Sequence, residues 1–493
     1  MKRVVITYIG GGSKDWAHKY FSDILSQDDL SGELRLYDIN VPAAEKNKKY
    51  FDRLQEDNKP ADKRYWTCRV DSDIDTTLKG ADFVLLSILP YSFNAMKVDV
   101  HYPEKYGILQ SVGDTTGPGG YSRAMRTIPF YQFFGKKIKE NCPDAWVINY
   151  TNPMAMCVNT LYKEFPEIKA FGCCHEVFGT QFILAGIMTM FQSLSEEGKK
   201  SFMSGELKPV LSELEKQGKG FESFRMHEGI PRDEIKLNVQ GINHFTWVNK
   251  AMYKDIDIFP IYTAFIKLFR QYNSKRLGPF VPLMIKQQRN RFSLKFELFE
   301  RYGVMGAAGD RHLAEFVPAD YLVNRRKIRM DGFFITPVWG RIIFDKFKVK
   351  KLNSKIKSKK PLKIHQSGEE GVIQITALAG LKSIQTNINV PNRGQAPDLP
   401  LGTAVETNAV LSGNKAEPVN AGAMKPEVLN LVKVHAENQK NFVDAFFKKD
   451  KKGLLEVFLN DPAVKRISRE DGTKLFNEMI ELNKECLEDW LTK

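Results

Sequence analysis

The chain has 493 residues, 42% hydrophobic, 27% charged and 11% aromatic, which excludes a disordered tail or a small stapled module and leaves enough apolar residues for a large core. Its 73 Lys and Arg against 59 Asp and Glu give +14, but much of the excess lies in one run from Lys346 to Lys360 with no RNA-binding aromatic signature, so we read a solvated basic face rather than a nucleic-acid patch. No stretch reaches the roughly 18–20 apolar residues of a membrane helix, and six irregularly spaced cysteines, two of them adjacent at Cys173 and Cys174, argue against a disulfide framework and for a reducing cytoplasm.

Residues 4–9 form a β-branched and aromatic run that breaks into Gly10-Gly11-Gly12-Ser13, and residues 14–25 then carry apolar side chains at helical spacing. A second strand over 33–37 ends on Asp38, and a polar helix follows over 43–55. Further apolar runs at 81–88, 145–150 and 168–171 alternate with helical sequence, the pattern of a parallel sheet covered on both faces. The start therefore reads as a strand and not as a signal peptide. Beyond about residue 190 the pattern predicts helices over 193–214, broken near Pro209, over 259–269 and over 279–302, with one strand at 235–240, a loop-rich region at 383–425 and helices from 428 to 491. The predicted fold class is α/β: a Rossmann-like, doubly wound parallel sheet over 1–190, with a second, mostly helical α+β domain over 191–493 that packs tightly on the first.

Gly10, Gly11, Gly12 and Ser13 supply the tight turn and close backbone approach that a dinucleotide needs, although Asp15 stands where the usual third glycine would be. A plain turn would look the same; Asp38, placed to accept hydrogen bonds from ribose hydroxyls, favours NAD over NADP. Ligands of open α/β sheets bind beyond the carboxyl ends of strands, and three such points are rich in functional groups: Asn149-Tyr150-Thr151-Asn152-Pro153, Gly172-Cys173-Cys174-His175-Glu176 and Gly241-Ile242-Asn243-His244. A thiolate and an imidazole from two of them would suit Zn or Mn with positions left open for substrate, whereas a buried apolar Cys174 and a core His244 remain the plainer alternatives.

Taken in order, the Gly10 turn, Gly113-Asp114-Thr115-Thr116-Gly117-Pro118-Gly119-Gly120, Thr151-Asn152-Pro153, the Cys174 and His244 segments, and Val390-Pro391-Asn392 followed by Val405-Glu406 resemble family 4 glycoside hydrolases over about residues 4–410. The stretches at Ser87-Ile88-Leu89-Pro90, Val98-Asp99-Val100-His101, Gln110-Ser111-Val112 and Gly309-Asp310-Arg311-His312 are most similar to the bacterial α-galacturonidase branch, while Cys-His-Glu-Val also resembles α-glucosidase members. Unlike glycosidases that work with a pair of carboxylates, this family depends on NAD. The resemblance implies oxidation of the sugar at C3 by NAD, removal of the acidified C2 proton, elimination of the leaving group, addition of water and return of the hydride, with a divalent metal, usually Mn²⁺, at the C2 and C3 oxygens. It implies Cys174 and His244 as metal ligands, Asp310 as base, His175 (or its neighbour Glu176) as acid, Asn152 and Asp114 as substrate contacts, and Ser87 beside the cofactor. It also implies a homodimer or homotetramer acting on a small glycoside.

A uronide carboxylate calls for a cation, ideally the planar fork of an arginine, and Arg311, Arg123 and Arg126 are the candidates. Competing readings are an α-galactosidase or α-glucosidase of the same family, a lactate- or malate-type NAD dehydrogenase, and a catalytically dead nucleotide-binding protein.

Overall fold

The computed structural model describes every residue except Asp15, Arg64, His227 and 277–291. Its main sheet begins with β1 (Lys2–Ile9), β2 (Leu30–Tyr37), β3 (Trp66–Asp71), β4 (Phe83–Leu86), β5 (Trp146–Asn149) and β6 (Lys169–Gly172), all expected from the sequence except β3. They pair in parallel in the order β3-β2-β1-β4-β5-β6, the doubly wound arrangement whose ligand crevice opens between the first and fourth strands. Every residue of β4 and β5 is buried, which is why these strands read as unbroken apolar runs. One face is covered by the helices Trp16–Leu25 and Val41–Asn58, the other by Gly117–Asn141 and Met154–Glu164.

The sheet continues where the sequence suggested loops. β11 (Ile384–Pro391), β12 (Ala404–Ser412) and β13 (Lys415–Pro418) join β6 antiparallel, so nine strands run across the boundary expected at residue 190. A smaller sheet packs beside them, built from β7 (Ile235–Ile242), β8 (Phe245–Tyr253), β9 (Ile256–Asp257) and β10 (Met305–Gly306). β7 and β8 form a hairpin whose two-residue turn is Asn243-His244, with Ile242 paired to Phe245. The Asn408 side chain on β12 accepts the Val239 amide at 3.0 Å, tying the two sheets together.

Helix ends also differ from expectation for identifiable reasons. The break expected at Pro209 falls at Gly205, whose φ of +81° ends the helix Glu196–Ser204, while Pro209 is accommodated in the first turns of Leu207–Lys216. Of the helix expected over 279–302, residues 279–291 lie outside the described residues, and Ser293–Tyr302 is helical. The basic run belongs to the helix Val338–Lys357, where Lys346, Lys348 and Lys350 are exposed. The C-terminal helices Pro426–Phe447, Lys451–Leu459 and Arg469–Leu482 bury Phe442, Phe458 and Phe476 against Tyr121 and Met125 of Gly117–Asn141.

The glycine turn after β1 is closely packed. A Cβ on Gly10, where φ is +96°, would lie 2.0 Å from the Ser87 carbonyl oxygen, and one on Gly11 would lie 2.7 Å from Leu36 Cβ. Asn47 reaches over from the Val41–Asn58 helix to donate to the Gly11 and Ser13 carbonyls at 2.7 and 2.8 Å. We expect Gly10→Ala to lower unfolding free energy by about 2 kcal/mol, because it combines an unfavourable φ with a backbone collision; chemical denaturation of the variant beside the native protein checks this.

Candidate active site

At the carboxyl edge of β1 and β2, Asp38 accepts the Gly12 and Asn40 amides, each at 2.8 Å, so its carboxylate braces the glycine turn. Ser87 follows β4 and donates its amide to Ile9 across the strand pair at 3.0 Å. The Tyr8 hydroxyl lies among Ser87, Ser13 and Asp38; burial pushes its pKa up to about 12, the two serines opposing the shift. These are the expected cofactor residues, gathered at one end of the sheet.

The remaining strand ends converge on a buried polar cluster. His244 sits at the tip of the β7–β8 hairpin with φ +66°, a left-handed conformation that few side chains other than glycine adopt and that turns its ring inward. The His312 ring, from the helix Asp310–Phe316, lies over it with centroids 3.8 Å apart. Ligating atoms of Asp114, His244 and His312 fall within 4.8 Å of one another. The Thr115 hydroxyl donates to Asp114 Oδ1 at 2.7 Å and also meets His244 Nδ1 at 2.7 Å. A hydroxyl has one proton, so Nδ1 of His244 must itself donate and Nε2 keeps its lone pair.

Electrostatics agree with that tautomer. Desolvation pulls the His244 pKa down to about 3, with His312 adding to the shift and Asp114 opposing it, which leaves the ring neutral near pH 7. Burial alone would push the Asp114 carboxyl up; His312, Arg123 and His244 outweigh it and hold the group well below the ordinary carboxylate range. Glu176 behaves similarly: burial raises it, but His312, His244 and His175 bring it below its usual value. Its Oε2 accepts the Gly309 amide at 2.7 Å and its Oε1 lies 3.7 Å from His312 Nε2. Two imidazoles and a carboxylate are a donor set for a borderline divalent cation, and His312 Nδ1 is buried with no hydrogen-bond partner among the described residues.

The residues expected here are not all drawn to one point. Cys174 is buried at the end of β6, beside Asn243 and near Glu406 and Glu176, and burial first and Glu406 second push its thiol up; its sulfur lies outside the 4.8 Å group. His175 is exposed and faces Trp16 at 5.9 Å, whereas its neighbour Glu176 turns toward the histidines. Asn152 donates to Asp114 Oδ2 at 3.2 Å and leaves its Oδ1 buried without a partner. Asp310 is buried and accepts the Leu294 and Lys295 amides at 3.1 and 3.2 Å, so it caps the helix Ser293–Tyr302; burial raises its pKa to about 6 against the pull of Lys295.

Each arginine considered for a substrate carboxylate is engaged elsewhere. Arg126 forms a buried ion pair with Asp99, Arg123 donates to the Asn152 carbonyl at 3.0 Å, and Arg311 donates to the Ser111 and Phe334 carbonyls at 2.7 and 3.1 Å.

Sequence reasoning does not single out His312, Thr115 or Glu315. Glu315 Oε1 accepts the Val112 and Gly113 amides at 2.7 and 2.8 Å, fixing the loop that carries Asp114, while Oε2 is buried and unpartnered. The available signal for His312 and Glu315 was their place in the Gly309–Phe316 stretch that carries Asp310.

Desolvation raises the Glu315 pKa to about 8. Between its unfolded value near 4.5 and that folded value, the native state holds a proton that the unfolded chain has released, so stability falls as pH rises through this window. Glu315→Gln keeps the amide contacts and should remove on the order of 2–3 kcal/mol of the decline between about pH 5 and 8, read from denaturation midpoints across that range. His312→Ala should weaken Mn²⁺ binding about tenfold or more, measured by electron paramagnetic resonance of free Mn²⁺.

Residues 5–190 match the description "Family 4 glycosyl hydrolase" and residues 239–464 match "Family 4 glycosyl hydrolase C-terminal domain". An alpha-galacturonidase of Thermoanaerobacter italicus is 43% identical over 99% of this chain and 98% of its own, and one of Thermoanaerobacterium saccharolyticum is 43% identical with the same shares. The crystal structure of lplD from Bacillus subtilis superposes with a TM-score of 0.82 at 38% identity, covering 97% of this chain and 100% of that one. With both of its family regions matched in order, and relatives aligned from end to end, the chain belongs to glycosyl hydrolase family 4.

Proposed function

We propose that this family 4 glycosidase hydrolyses α-galacturonides in the cytoplasm, with NAD and Mn²⁺ as cofactors, acting as a homo-oligomer on a small anionic uronide. The observation that carries the substrate is the 43% identity, along almost the whole chain, to relatives named alpha-galacturonidase. Family membership also weighs against the dehydrogenase and binding-protein readings.

When bound, NAD would take hydride from C3 of the sugar, leaving a carbonyl there, and a divalent ion would polarise that carbonyl oxygen so that the adjacent C2 proton becomes removable. The protein's part is to hold both and to move protons. The glycine turn, Asp38 and Ser87 lie together at the crevice between β1 and β4, where the backbone comes closest because side chains are excluded at Gly10 and Gly11. His244, His312 and Asp114 hold the ion, with Cys174 beside them on the end of β6. Asn152, its Oδ1 free, holds a sugar hydroxyl. Two groups serve proton transfer: Asp310 at the base position that the family resemblance implies, tuned to about 6, and His175 at the acid position, since the histidines hold Glu176 below its usual pKa and leave it no proton to give.

The test is release of p-nitrophenol from the α-galacturonide, compared with the α-galactoside, α-glucoside and α-glucuronide, in the presence of NAD, Mn²⁺ and a thiol. The galacturonide should be preferred, EDTA should abolish turnover, solvent deuterium should enter the product at C2, and no net NADH should accumulate. Asp310→Asn should suppress the C2 exchange, and His175→Asn should slow leaving-group release. Full-rate hydrolysis after both NAD and metal are removed, or preference for another sugar, would overturn the proposal.

A further inference from the structure

On the α-galacturonide reading, the donor cluster faces the C2–C3 side of a pyranose ring, so a carboxylate on C5 lies across the ring from it. Three arginines considered for it have settled contacts: Arg126 with Asp99, Arg123 with Asn152 and Asp114, and Arg311 with the carbonyls of Ser111 and Phe334. A fourth stands nearby. Arg341 lies in the first turn of the helix Val338–Lys357, its amide bonded to the Pro337 carbonyl, and its guanidinium has no hydrogen-bond or ion-pair partner among the described residues.

The start of this helix is fixed to the same loop that carries Asp114. The Thr336 amide and hydroxyl both donate to the Ser111 carbonyl at 2.9 Å, Arg311 donates to that carbonyl from the other side, and Val338 is buried against Met96 and Val100, the latter also packed on Gly113. Arg341 is therefore anchored relative to Asp114 by its backbone while its side chain stays exposed. Desolvation lowers its pKa even so, Asp114 opposing and Arg123 reinforcing the shift, so both lie within electrostatic reach of the guanidinium. An exposed, unpaired guanidinium on a rigid mount beside a buried donor cluster suits a bidentate grip on a ligand carboxylate.

We infer that Arg341 binds the C5 carboxylate of the uronide and so selects galacturonides over neutral galactosides. The inference rests on the α-galacturonide reading and adds the residue that reads the acid group. Arg311 serves instead as the clamp that holds the Arg341 helix to the Asp114 loop.

The experiment is calorimetric titration of D-galacturonate into the full-length protein with NAD and Mn²⁺ present, for the native protein, Arg341→Leu and Arg341→Lys, together with KM for p-nitrophenyl α-galacturonide. Arg341→Leu should weaken D-galacturonate binding about 50-fold and raise KM in parallel, in keeping with loss of a charge-assisted contact. Arg341→Lys should recover part of the loss, since an ammonium restores charge but not the planar fork. Binding by Arg341→Leu within about twofold of the native protein would overturn the inference while leaving the galacturonidase reading intact. A native protein that neither cleaves the galacturonide nor binds D-galacturonate better than D-galactose would overturn both.

Discussion

Two imidazole rings face each other at 3.8 Å in a buried pocket, with the carboxylates of Asp114 and Glu176 close by, and this arrangement constrains most of what surrounds it. Two positive rings at that spacing would repel, and burial disfavours a charge on His244, so its ring is neutral. The carboxyls, in contrast, are held below their ordinary range, chiefly through His312 and, for Asp114, Arg123. The result is a cluster of imidazole and carboxylate donors that suits a borderline divalent cation. Thr115 fixes one tautomer, Gly309 orients Glu176, and the hairpin holds His244 in a backbone conformation it would not otherwise choose.

This pocket draws on distant parts of the chain, and the architecture serves to bring them together. The loop that bears Asp114 is fastened by Glu315 from one side, and at its far end Asp461 accepts the Gly117 amide at 3.2 Å while His435 meets the Thr116 hydroxyl at 3.0 Å. The C-terminal helices thus act on the site through the loop, without reaching it.

The parallel half of the fold was legible because strands buried on both faces are largely apolar, as β4 is throughout and β1, β5 and β6 are apart from Thr7 and their end residues. β11 and β12 were hidden by buried polar residues. Asn387 and Asn389 are 2% and 0% exposed, and Asn387 donates to Glu406 at 2.6 Å, so polar side chains stand in strand interiors where sequence reading expects apolar ones. Within the site, His244, Asn152 and Asp114 were legible from their places at strand ends and in the glycine-rich loop. His312 was not, because residues two apart on a helix point about 200° away from each other, and only the packed structure shows that His312 turns inward while Asp310 turns to the neighbouring helix. The arginines were recognisable as a type, but not which of them keep their donors free.

The antiparallel strands that residues 384–418 add to the N-terminal sheet link the whole chain into one folding unit. β6 would be an open edge without them, its backbone groups unpaired and ready to join a foreign strand. During synthesis that edge waits for more than 200 residues before its partner emerges, given the span from β6 to β11. A severed N-terminal half would therefore be prone to aggregate, and the recipient of any transplanted nucleotide domain from this chain would have to supply a substitute for β11.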